Sequence, residues 1–273
     1  AARTDQPKNG LVAVCDMQSL LSGCLEKSCD FCGIPVLGHR SAVELCRCFM
    51  RRICTTVRWA MSAKEYSMKL YTSPIGPSPH IARILFALKD IDPQIVEVDM
   101  LGLENRQDDY LRINPAGQLP CLVTDDGVTI AELSAIAEYL DEIKPDPVLT
   151  GETAAERGVT RMRMRQCDFL IFAPMVLGYR HGEGRKFFGS RITLHDGISE
   201  PAKTIAQEGL AWLDPLLDGQ SFICGDKLTY VDIIFFVTVG FFAQQGQPLD
   251  PSLKNLVQLM ARLEAHDIIG GTA

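Results

Sequence analysis

Residues 68–89 read MKLYTSPIGPSPHIARILFALK, and how this stretch breaks decides the fold. Lys69–Thr72 has the length of a short strand, and a proline-rich turn follows it. Ser78 then precedes Pro79, an N-cap residue followed by proline at the first helical position, so a helix is predicted from about Pro79 to Lys89. Gln94–Val98 (QIVEV) reads as a second strand. A strand–helix–strand of this length implies a parallel pair with a right-handed crossover. Glu104–Ile113 reads as a short helix, and Leu119–Thr124 and Val128–Ala131 read as two strands joined through Asp126-Gly127, a hairpin signal. Glu132–Lys144 carries Leu133, Ile136, Ala137 and Leu140 at helical spacing.

The order up to this point is βαβαββα. Pro145-Asp146-Pro147 breaks the pattern and opens a linker. Beyond Gly151 the chain reads helical over about 152–178, 199–218, 229–245 and 252–266. Thr229-Tyr230-Val231-Asp232 has the form of a capping box at one of these helix starts, a folding signal rather than chemistry. The predicted fold is a small α/β domain over 68–145 followed by an all-α domain over 152–273.

Composition narrows the function. The 273 residues carry a net charge of −7, which argues against nucleic acid as a partner, because phosphate neutralisation needs a basic face. The longest apolar run, Ile233–Ala243, is about half of the roughly 20 residues that cross a bilayer, so no membrane span is predicted. Seven of the ten cysteines (Cys15, Cys24, Cys29, Cys32, Cys46, Cys48, Cys54) lie in residues 1–67, a basic, cysteine-rich leader. The other three, Cys121, Cys167 and Cys224, sit in apolar or helical surroundings, which favours a reducing, cytoplasmic setting over disulfides. Within the leader, the Arg-rich stretch Arg40–Trp59 admits a targeting reading, which would place the protein in an organelle such as the mitochondrion. The acids Asp16, Glu26, Asp30 and Glu44 weaken that reading, and a fragment or doubtful gene start is an equal alternative. Cys29-Asp30-Phe31-Cys32 with Cys46-Arg47-Cys48 offers four thiolates, but the second pair lacks the usual zinc spacing, so no metal is expected.

Three stretches together resemble the cytosolic glutathione transferase family over 68–273. They are MKLYTSPIGPSPHIARILFALK, NPAGQLPCL with IAELSAIAEYLDE, and FICGDKLTYVDI. The resemblance implies a thioredoxin-like N-terminal domain, a helical C-terminal domain, glutathione as co-substrate and a homodimer. It implies that Leu119 presents its backbone to glutathione ahead of a cis Pro120, with Gln118 near the glycine end. Glu132 matches the acid facing the γ-glutamyl end, at a helix start whose N–H groups would hold a carboxylate. The family's following serine is Leu133 here, and Ser134 falls one place late.

The catalytic serine or cysteine of many classes falls on Gly76, whereas classes with a GPNP-type turn match GPSP and place their polar residue at Ser78. A hydroxyl donating to ionised sulfur contributes about 1.5–3 kcal/mol, enough to lower a thiol pKa of about 8.5 by one to two. Ser78 has two readings, thiolate donor or simple N-cap, and Tyr71 and Ser73 are weaker donors. Phe169, Phe172 and Tyr179, near the run Tyr179–Arg185, are candidate walls for a small hydrophobic electrophile. The leading expectation is a detoxifying transferase that conjugates glutathione to such electrophiles. A non-catalytic interaction module is the alternative that Gly76 and Leu133 motivate. Glutathione-dependent reduction ranks last, because the turn has no cysteine.

Overall fold

The computed structural model describes residues 66–271. The targeting and zinc readings of the leader lie outside the described residues. The first half runs β1 (Lys69–Thr72), α1 (Pro77–Leu88), β2 (Gln94–Glu97), a 3₁₀ turn (Glu104–Arg106), α2 (Asp108–Leu111), β3 (Cys121–Val123), β4 (Thr129–Ala131) and α3 (Leu133–Ile143). The sheet order is β2-β1-β3-β4, with β1 parallel to β2 and antiparallel to β3. This is the expected βαβαββα order.

The two-residue period of a strand sorts its side chains between two layers. Leu70 pairs with Leu122, and both face the main core; Tyr71 pairs with Cys121, and both face a smaller cluster with Val98, Tyr110 and Leu119. α1 buries Ile81, Ile84 and Leu85 together with Ala82, Phe86 and Leu88, a wide stripe, because it is clasped between the sheet layer and the helical half.

The helix begins at Pro77, two residues earlier than expected. Gly76 takes the cap position at φ 93°, a left-handed conformation that admits glycine and strains other residues. Pro77 then supplies the first helical φ. Ser78 therefore lies inside the first turn, and its N-cap reading is corrected.

The helical half comprises α4 (Ala154–Cys167), a π turn (Asp168–Phe172), α5 (Ala173–His181), α6 (Arg185–Phe188), α7 (Ser199–Leu213), a 3₁₀ turn (Asp214–Leu217), α8 (Tyr230–Ala243) and α9 (Lys254–Glu264). α8 is buried nearly all round and packs against α1 and α3 of the first half. Tyr230, Val231, Ile234 and Phe235 share one core with Leu70, Ile81 and Ile136. At its start the Asp232 carboxylate accepts the N–H and hydroxyl of Thr229, each at 2.8 Å, and the N–H of Ile223 at 2.8 Å. A capping box that the sequence reading passed over starts α4, with the Glu156 N–H bonded to Thr153 Oγ1 at 3.1 Å and Glu156 bonding back.

Lys89, 0% exposed, forms an ion pair with Asp141 of α3, 8% exposed. It also donates to the carbonyls of Lys144, at 2.9 Å, and Pro147. Asp141 in turn accepts from the Leu149 and Thr150 amides and the Thr150 hydroxyl. The linker between the halves is thereby tied to the first of them.

α7 approaches the π turn so closely that a Cβ on Gly209 would overlap the Leu170 carbonyl oxygen. Overpacking of this kind costs about 1–3 kcal/mol. Gly209→Ala is expected to lower stability by that amount in denaturant titrations. A loss under about 0.5 kcal/mol would show that α7 can shift freely.

Candidate functional site

The segment before β3 is held from three sides. Asn105 Nδ2 donates to the Gly117 carbonyl at 2.7 Å, Tyr110 Oη to the Gln118 carbonyl at 2.7 Å, and Asn114 Nδ2 to the same oxygen at 2.9 Å. Burial pushes the Tyr110 phenol up, which keeps it a donor. Gly117 turns the chain at φ 61°. The Leu119–Pro120 peptide that follows is cis. Among the described residues the N–H and C=O of Leu119 have no partner, although neighbouring carbonyls do. Backbone groups left open beside a pinned loop are what an extended peptide ligand needs. The Gln118 side chain is exposed at the same place.

Glu132 follows β4 and takes the N-cap position of α3 at φ 74°, ψ 128°. A non-glycine residue there carries backbone strain, which clusters at functional sites. Its side chain is exposed, while Leu133 and Ser134 are half-buried. No side chain caps α3 by a hydrogen bond and no acid lies in its first turn, so the N–H groups at the start of the helix are open. Glu132 is close enough to Asp168, in the π turn, to raise the pKa of that carboxyl; burial is the larger cause, and Arg165 opposes both. Sequence reasoning missed Asp168; its one signal was a lone acid opening the apolar run Asp168–Phe172, and a π turn often marks a functional position.

In the turn after β1, Ser73 is 1% exposed; its hydroxyl accepts from the Ile75 N–H at 3.4 Å and its carbonyl from Arg83. Tyr71 packs edge-on against Tyr110, ring centres 6.1 Å apart. The Ser78 side chain is half-buried and has no hydrogen bond among the described residues. Its hydroxyl lies at the positive end of α1, whereas that of Ser73 is buried and already accepts from Ile75.

The three expected aromatic walls take separate positions. Phe169 is 57% exposed under the Arg165 guanidinium, 3.5 Å from its ring centre. Phe172 is buried against Phe235, so its ring belongs to the core. Tyr179 is half-buried among Phe188, Phe241 and Phe242. No ring contact joins the three. A cavity of about 270 Å³ lies elsewhere, between the linker and the Cys224–Thr229 loop, and contains none of these residues. Among the described residues no cluster of three or more side chains could hold a metal ion, and no helix is long and apolar enough to cross a membrane.

Two family models fit the chain. "Glutathione S-transferase, N-terminal domain" matches residues 75–143 and "Glutathione S-transferase, C-terminal domain" matches residues 198–270. The chain is 30% identical over 209 residues to a maleylacetoacetate isomerase of Pseudomonas aeruginosa, covering 71% of this chain and 91% of that one. It is 29% identical over 185 residues to glutathione S-transferase 2 of Saccharomyces cerevisiae, covering 66% and 78%. The crystal structure of Gtt2 from the same yeast superposes with a TM-score of 0.70 at 25% identity, covering 75% of this chain and all of that one. A thioredoxin-like sheet domain joined to a helical bundle, with a pinned cis-proline loop, defines the class. The chain belongs to the glutathione S-transferase family.

Proposed function

We propose that the protein binds glutathione along Leu119 and transfers its thiolate to a small hydrophobic electrophile. The unpaired backbone N–H and C=O of Leu119 carry this reading, because a tripeptide can complete them as an added strand would. Glu132 offers an exposed carboxylate to the α-ammonium of the γ-glutamyl residue, and the open α3 start, at Leu133, suits its carboxylate. Gln118 and Pro120 border the glycine end. The thiol proton passes to solvent, Ser78 donates to the sulfur anion, and the positive end of α1 stabilises it. Sulfur then forms a bond to the electrophilic carbon, and the leaving group departs with the bonding pair. The helical half supplies the electrophile side, with Phe169 and Tyr179 nearer to solvent than Phe172. A cytoplasmic homodimer is the corresponding assembly and location.

Ser78→Ala is the direct test. The hydroxyl's interaction is worth about 1.5–3 kcal/mol in the thiolate state, so kcat should fall about 10- to 100-fold with a smaller change in KM for glutathione. Equal rates in the two proteins would remove Ser78 from the mechanism.

A second reading follows from the isomerase name of the Pseudomonas relative. The same thiolate would add reversibly to a conjugated double bond, allow rotation, and leave. Product analysis separates the two, since isomerisation consumes no glutathione. The non-catalytic alternative remains motivated by Gly76 and Leu133. Retention on immobilised glutathione counts against it.

A further inference from the structure

Arg191 joins the helical half to the loop after β2, and two further arginines, Arg106 and Arg180, lie on the elements either side of that contact. Arg106, in the 3₁₀ turn after β2, reaches the Ala116 carbonyl at 3.4 Å, and its Nε is buried without a hydrogen-bond partner. Arg180, near the end of α5, has its guanidinium carbon 5.2 Å from the Phe188 ring centre, and its Nε is likewise buried and unpartnered. Arg191 stacks 3.8 Å over Phe187 and donates to the Met100 carbonyl at 2.9 Å, which ties the loop after α6 to the loop after β2. Phe187 and Phe188 touch edge to face at 4.9 Å, so Arg180 and Arg191 share one aromatic floor.

All three are half-buried, and among the described residues none has a carboxylate partner. Burial holds the Arg180 guanidinium below its usual pKa, and the charge of Arg106 acts in the same direction. Half-buried like charges without a counter-ion are costly unless a ligand supplies the anion. Arginine is the residue suited to such an anion, because its planar fork matches a carboxylate bidentately.

We propose that Arg180 is a specificity-determining residue that selects electrophiles bearing a carboxylate, with Arg106 and Arg191 reinforcing the subsite. The proposal rests on the glutathione reading above. Arg106 lies beside Ala116 and Gly117, just before Gln118, which the glutathione reading puts at the glycine end of the tripeptide. Arg180 and Arg191 come from the helical half, on the electrophile side, and are the pair left for a second anion. The aromatic floor of Phe187 and Phe188 suits an apolar body attached to that carboxylate.

The test uses the full chain and two product analogues that differ by one carboxylate, S-benzylglutathione and S-(4-carboxybenzyl)glutathione, with binding measured by calorimetry. The wild type is expected to bind the carboxylated compound about 10- to 100-fold more tightly. Arg180→Gln should erase that preference, and Arg180→Lys should restore part of it through charge without the fork. Removing one cation from an acid-free cluster should leave the thermal midpoint unchanged or higher, so the variants are expected to fold.

Glutathione also carries a glycine carboxylate, so the comparison is repeated with the matching conjugates of γ-glutamylcysteine, which lack it. If Arg180→Gln weakens both glutathione conjugates alike but leaves the γ-glutamylcysteine conjugates unaffected, the arginine serves glycine and the proposal is overturned. Equal affinity of the wild type for the two glutathione conjugates also overturns it, while leaving the transferase reading intact. If neither conjugate binds, the glutathione reading itself fails and the proposal falls with it.

Discussion

Asp141→Ala is expected to destabilise the protein by about 3–5 kcal/mol, the usual cost of removing one partner from a buried ion pair. Lys89 is fully buried, so its ammonium would keep two carbonyls and lose its counter-charge. The Leu149 and Thr150 amides would lose their acceptor at the same time. At about 2–4 °C per kcal/mol for a domain of this size, the thermal midpoint should drop by about 6–20 °C. Replacing both charges, as Lys89→Met with Asp141→Leu, should recover the ion-pair part of the loss but not the part due to the two amides. A midpoint within about 2 °C of wild type for Asp141→Ala would show that water already reaches Lys89.

Asp232→Ala should cost a similar amount, because it strands three buried donors, on Ile223 and Thr229, at about 1–3 kcal/mol each, less whatever the site relaxes. The size depends on pH, and the sign is fixed. Burial raises the Asp232 carboxyl from 3.8 to about 6, against the pull of its three donors. A folded-state pKa above the unfolded value gives a contribution that is whole below about pH 3.8 and is lost as pH rises through about 6. The stability gap between wild type and Asp232→Ala should therefore narrow by up to about 3 kcal/mol between pH 4 and pH 7. Denaturant midpoints at the two pH values measure it; a gap that widens would mean that the hydrogen bonds outweigh desolvation.

What the sequence made legible was whatever depends on short-range pattern. The strand alternation of Lys69–Thr72, the stripe of α3 and the Thr229–Asp232 start of α8 all follow from spacing. The start of α1 was misplaced because Ser78-Pro79 imitates a cap, whereas Gly76 alone can take φ 93°. The burial of Lys89 is set by Asp141, 52 residues away in the chain (141 − 89), which no local signal announces. Phe172 looks like Phe169 in the sequence, but one ring faces Phe235 and the other faces water. Asp168 escaped for a related reason: its neighbours come from elements distant in the chain.

The π turn at Asp168–Phe172 carries a consequence of its own. Its wider loop of backbone holds one residue more than an α-helical turn, so it behaves as an insertion absorbed without breaking the rod. Excising one residue there would let α4 and α5 zip into a continuous helix and rotate one against the other by about 100°. The acid at 168 and the cation at 180 would then stand in a different phase to one another. The phase between them is a single-residue setting, one that a lineage can change by one codon.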